Sequence, residues 1–183
     1  RLDAGRELAS DPVDLIPLAI DAVSDAHAAG PDHEWVLDLP QFDDEDEDCV
    51  SCTVAGDESA LRQVFANLVN NARIHTPAGT RVKVGVQVIG GGASAPGFVR
   101  MSVADDGPGI PPELRATVFD RFVRGDTSRS RQGKGSSGLG LSIVSSIAEA
   151  LGGRVDVDTV CEGEAKPGEH GTTFSVILPA MEL

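Results

Sequence analysis

The residues that could do chemistry fall into four short groups. Asn67 and Asn71 stand four apart. Asp105-Asp106-Gly107-Pro108-Gly109-Ile110 follows an alternating apolar run. Gly138-Leu139-Gly140-Leu141 leads into a helical pattern, and Gly171-Thr172-Thr173-Phe174 opens the last apolar run. Between the second and third groups lie Arg121, Arg124, Arg129, Arg131 and Lys134, set against Glu113, Asp120 and Asp126. The chain as a whole has a formal net charge of -14. A local reversal of charge beside glycine turns points to an anionic ligand, with phosphate the first candidate. A solvated loop that is basic by composition is the alternative. The two asparagines flank an apolar helix face, where a mediocre helix former invites a reason; polar residues at a helix margin are the alternative there.

Other chemistries lack their residues. No G-x-x-x-x-G-K-[ST] occurs, because Gly133-Lys134 is followed by Gly135, and no G-x-G-x-x-G follows a strand. No Ser or Cys stands in a nucleophile elbow. His27, His33, His75 and His170 are scattered. Cys49-x-x-Cys52 has no second pair, so it reads as ordinary strand cysteines rather than a metal or redox site. Asp43 to Asp48 is six consecutive acids, a self-repelling solvated loop without the alternation and glycine of a calcium loop. Aromatics are only 4% of the chain, with no Tyr, and the acidic balance opposes a nucleic-acid phosphate backbone. No apolar run approaches the roughly 20 residues of a membrane span.

The elements that must position these groups follow from periodicity. With 183 residues and 40% hydrophobic content, one domain with a real core is expected. Ser10-Asp11-Pro12 predicts a helix start, and Val13, Leu15, Ile16, Leu18, Ala19, Ile20 and Val23 give its apolar stripe to about Ala29. Trp35 to Leu39 is a strand ending at Pro40, and Val50, Cys52 and Val54 alternate as another. Leu61, Val64, Phe65, Leu68, Val69 and Ala72 define the strongest helix, about Glu58 to Ile74. Val82 to Val88 and Phe98 to Val103 are strands, the second delivering Asp105 to its end. Pro111-Pro112-Glu113 predicts a short helix through Val118. A helix from Gly138 buries Leu141, Ile143, Val144, Ile147, Ala148 and Leu151, and strands at Val155–Val157 and Gly171–Leu178 close the chain. The expected architecture is an α/β two-layer sandwich: a mixed, largely antiparallel sheet with three main helices on one face.

In order and spacing, the four groups resemble the N, G1, G2 and G3 boxes of the sensor histidine kinase ATP-binding domain. Phe119-Asp120-Arg121-Phe122 looks like its F box, and Leu61 to Ala72 is close to the usual kinase wording. That family sits in the gyrase, chaperone, kinase and mismatch-repair ATPase superfamily, with its Bergerat fold. The resemblance covers about residues 10–180. It implies that Asp105 accepts a hydrogen bond from the adenine amino group, and that Gly107, Gly109 and Ile110 approach the base and sugar. Thr172 would complete the adenine contacts, directly or through water. Asn71 would offer a neutral oxygen to Mg²⁺, with Asn67 one turn earlier supporting the metal or a phosphate. Gly138, Leu139 and Gly140 would put backbone N–H groups and a helix N-terminus at the phosphates. Arg124 and Lys134 would neutralise phosphate charge, His75 would stand near it, and Phe119 and Phe122 would anchor a lid. Asn67, Asn71 and Arg124 are the catalytic candidates.

Departures from the family pattern also matter. Ser136 occupies the first glycine of the second glycine box, and Ile74 replaces a frequent Lys or Arg, beside Arg73. The His-Glu-Leu-Arg phosphoacceptor box is absent, and His27-Ala28-Ala29-Gly30 cannot replace it. Residues 1–9 resemble the remnant of a preceding dimerisation helix and linker, with residues 10–183 the catalytic domain. The implied activity is that of a protein-histidine kinase in a two-component system. It would bind MgATP and donate the γ-phosphate to a histidine on a separate dimerisation domain, and a response regulator would follow. The implied setting is the cytoplasmic part of a membrane-anchored sensor, the fragment itself a monomer. A hydrolytic ATPase of the same fold would generally have a Glu where Asn67 stands. An anti-sigma-type or non-enzymatic nucleotide-binding module would usually lack the F box.

Overall fold

A computed structural model of the chain describes residues 7–41, 51–91, 95–118 and 140–181. Their elements run β1 (Asp11–Asp14), α1 (Leu15–Ala29), β2 (Glu34–Asp38), β3 (Thr53–Gly56), α2 (Glu58–His75) and β4 (Arg81–Ile89). They continue with β5 (Phe98–Asp105), α3 (Pro112–Arg115), α4 (Gly140–Ala150), β6 (Arg154–Val160) and β7 (Gly171–Pro179).

Five strands form one sheet in the order β2-β4-β5-β7-β6, with β2 parallel to β4 and the other pairs antiparallel. Residues opposite one another in such pairs share a face. The register therefore stacks the apolar alternation into rows. One row reads Leu37, Val84, Val103, Phe174, Val157; the next reads Val86, Met101, Val176, Val155. Val84, Val86 and Met101 have no exposed surface. Leu61, Val64, Phe65 and Leu68 of α2 close over this face, flanked by α1 and α4. Each such side chain contributes about 1.5–3 kcal/mol by leaving water. The expected two-layer sandwich, with its largely antiparallel sheet and three main helices on one face, is the fold observed.

Two local expectations need correction. Ser10-Asp11-Pro12 does not start the first helix. Residues 11–14 are a strand, β1, which pairs antiparallel with β3. The true cap is Asp14, whose Oδ1 accepts from the Ile16 amide at 3.0 Å. Cross-strand pairing outcompetes a plausible local helix signal. The helix expected from Pro111 through Val118 is helical only over Pro112–Arg115, then continues as turns. At the chain's start, Leu8 packs on the core and the Ala9 amide donates to Asp57 Oδ2 at 3.1 Å. The other oxygen of Asp57 caps α2 by accepting from the Ala60 amide at 3.1 Å.

Candidate functional site

The sheet's core face ends in a row of different chemistry. Beyond Val84, Val103, Phe174 and Val157, the next row reads Val82, Asp105, Thr172, Thr159. The alternation that fills the core with valines delivers a carboxylate and two hydroxyls in register at one end of the sheet. Thr172 is only 5% exposed, and Asp105 is half-buried.

Asp105 is held from two sides. The Gly107 amide donates to its Oδ1 at 2.9 Å, and the Thr172 amide is a second backbone donor. Burial pushes the Asp105 carboxyl above its ordinary value, and Asp106 adds to that. The two amide donors and His33 pull the other way. A carboxylate so placed has acceptor capacity left for a ligand N–H.

The turn after Asp105 is fixed by contacts that only glycine permits. Gly109 has φ +81°, and a Cβ there would run into the Val160 carbonyl and lie 2.8 Å from Cys161 Cα. At Gly171 a Cβ would strike the Asp105 carbonyl, so glycine lets β7 close on β5 at this level. The Ile110 amide then donates to Thr159 Oγ1 at 2.8 Å, and Thr159 Oγ1 lies 2.9 Å from Thr172 Oγ1. The Ile110 carbonyl accepts from Arg115 Nε and from the Cys161 thiol, both at 3.0 Å, while Arg115 pairs with Glu164 at 2.8 Å. His170 donates from Nδ1 to the Gly107 carbonyl at 2.6 Å.

The same turn is tied to α2. The Thr76 hydroxyl donates to the Ala72 carbonyl at 2.6 Å and, its proton spent, accepts from His33 Nε2 at 2.8 Å. Its methyl group lies 2.6 Å from where a Gly107 Cβ would be. The helix carrying Asn67 and Asn71 thus ends against the glycine turn. Further back, Asn67 Nδ2 donates to the Gly140 carbonyl at 3.3 Å, joining α2 to the first residue of α4. Asn71 is half-buried one turn on. His75 is exposed, yet the protein mass around its ring still desolvates it and lowers its pKa, favouring the neutral imidazole.

The structure therefore gathers Asp105, Gly107, Gly109, Ile110 and Thr172 at one edge. It sets Asn67 against Gly140, on the helix that also carries Asn71 and His75. Phe119, Phe122, Arg124, Lys134, Gly138 and Leu139 lie outside the described residues. Thr159, Thr76, His33, His170 and Arg115 were not singled out from sequence. Only Thr159 had a signal, as the polar residue ending the Val155, Val157 alternation.

A divalent cation can be tested against these donors. Among the described residues no three His, Cys, Asp or Glu side chains converge on a possible metal. Asn71 supplies a neutral amide oxygen one turn on from Asn67, the kind of single protein ligand that suits Mg²⁺ held chiefly by phosphates and water. A groove of about 430 Å³ between α1 and α2, lined by Leu18, Ala22, Ala66 and Val69 among others, includes neither Asn67 nor Asp105. Among the described residues no helix is long and apolar enough to cross a membrane.

Comparison with known proteins gives a consistent picture. Residues 56–182 match the family described as histidine kinase-, DNA gyrase B-, and HSP90-like ATPase. The chain is 49% identical over 179 residues, 98% of its length, to the Mycobacterium tuberculosis protein named "Probable sensor histidine kinase TcrY", and covers 33% of that protein. It is 43% identical over 182 residues to the sensor histidine kinase TrcS of the same organism, covering 32% of it. The chain thus spans about a third of the length of these curated relatives. Among solved structures, the mycobacterial sensor histidine kinase MprB superposes with a TM-score of 0.72 at 31% identity, over 94% of this chain and 100% of that one. Full-length ShkA in complex with AMPPNP gives 0.72 at 30% identity, over 97% of this chain and 32% of that one.

Proposed function

Because the chain belongs to the histidine kinase-, DNA gyrase B-, and HSP90-like ATPase family and is homologous to sensor histidine kinase catalytic domains, we propose that it holds MgATP and donates the γ-phosphate to a histidine on a separate dimerisation domain. The single observation that carries this reading is the convergence of three motif segments on one edge. Asp105 meets Thr172 across the sheet, and Gly107 meets the end of the helix bearing Asn67 and Asn71.

In this reading Asp105 accepts from the adenine amino group, and the fixed turn at Gly107–Ile110 lines the base. Such a buried acceptor rejects ligands that lack the donor. Asn71, supported by Asn67, would hold Mg²⁺, which supplies charge neutralisation at the phosphates. Arg124 and Lys134 are the proposed side-chain neutralisers, Gly138 to Gly140 the proposed phosphate-binding backbone, and Phe119 and Phe122 the proposed lid anchors. Catalysis is then positioning and electrostatics, as in phosphoryl transfer generally. The setting proposed is the cytoplasmic part of a membrane-anchored sensor that passes its phosphate on to a response regulator.

The hydrolytic alternative meets a specific obstacle. Asn67 uses its amide nitrogen as a donor to the Gly140 carbonyl. A Glu there, the base a hydrolase needs, could not make that bond when ionised. The test is to mix the chain with a separate dimerisation domain and γ-labelled ATP. Label on that domain's histidine supports the proposal; steady ATP turnover with no transfer contradicts it.

A further inference from the structure

The polar row contains one residue that the reading above leaves without a task. Thr159 lies on the edge strand β6, opposite Thr172, which in turn lies opposite Asp105. Its hydroxyl oxygen accepts from the Ile110 amide at 2.8 Å and touches the Thr172 hydroxyl at 2.9 Å. A hydroxyl has one proton and two lone pairs. Between the two threonines only one can donate.

Cooperativity decides which. An oxygen that already accepts from an N–H is polarised toward donating its own proton and is a poorer second acceptor. Thr159 therefore donates to Thr172. That leaves the Thr172 proton unspent, on a buried hydroxyl beside the Asp105 carboxylate. Adenine presents a donor and an acceptor side by side, the amino group and ring nitrogen N1. Asp105 offers an acceptor, and Thr172, so oriented, offers a donor. Resting on the ATP reading, we infer that Thr159 is a positioning residue for adenine: it sets the direction of the Thr172 hydroxyl, so that its proton is kept for N1, directly or through one water. The Ile110 amide supplies the bias, so the glycine turn and the base-reading hydroxyl are set by one chain of hydrogen bonds.

The test compares ATP with 1-deaza-ATP, which has a C–H at that ring position, by calorimetric titration of the chain. Wild type is expected to prefer ATP. Thr159→Val, which keeps the shape and removes the hydroxyl, is expected to weaken ATP roughly three- to tenfold, the size of one net hydrogen bond. It should leave 1-deaza-ATP nearly unchanged, so the preference shrinks. Thr159→Ser keeps the hydroxyl and should restore the preference. Thr159→Ala removes the same hydroxyl without filling its space and serves where the valine variant melts early. A purely structural role would weaken both nucleotides equally; that result, or an unchanged preference in Thr159→Val and Thr159→Ala, overturns the inference while leaving ATP binding standing. Wild type binding neither nucleotide would overturn the ATP reading and the inference with it.

Discussion

At the scale of single residues, Asp105 combines two demands that pull against each other. Its burial raises the carboxyl pKa above the ordinary 3.8, while the Gly107 and Thr172 amides favour the charge. An acid raised on folding stabilises the fold fully below its ordinary value. That contribution is lost as pH rises through the raised value. Above the raised value the ionised side chain is therefore held at a cost to stability. Two outcomes follow. ATP affinity in calorimetric titrations should fall as pH drops through the raised Asp105 value, earlier than an ordinary aspartate would titrate. At pH 7, Asp105→Asn should melt no lower than wild type although it binds ATP far less well. A variant that melts lower and binds equally would assign Asp105 to structure alone. His75 carries the opposite shift: desolvation favours its neutral form.

At the scale of elements, the site depends on how closely backbone segments meet. Gly109 at φ +81° lies against the Val160 carbonyl. Gly109→Ala should therefore cost at least about 1–3 kcal/mol, combining left-handed strain with a backbone clash. It should shift the urea midpoint accordingly, and an unchanged midpoint would show that the turn relaxes. The sequence made much of this level readable. Clean alternation at Val82–Val88 and the α2 stripe specify which faces are buried, so the sheet's character and the helical layer could be anticipated. Asp105 was placed at a strand end for the same reason. What local pattern could not reveal is pairing between distant segments. β1 was read as a helix start because Asp11-Pro12 has cap chemistry, and nothing nearby in sequence announces β3 as its partner. Thr159, Thr76, His33 and His170 stayed hidden for a related reason. Each makes a side-chain contact with a residue 13 to 63 positions away.

At the scale of the whole molecule, the apolar rows of the sheet give way at one end to the polar row of Asp105, Thr172 and Thr159. The chain covers about a third of the relatives TcrY and TrcS, and the phosphoacceptor box is not in it. On the proposed reading, phosphoryl transfer is therefore expected when a histidine-bearing domain is supplied in trans. The most direct measurement is a single-turnover incubation of γ-labelled ATP with the chain and a separate dimerisation domain, run in parallel with Asp105→Asn. The expected result is acid-labile label on the dimerisation domain with wild type, and loss of that label with Asp105→Asn at subsaturating ATP. Labelling that does not depend on Asp105, or ATP turnover that never labels the histidine, would contradict it.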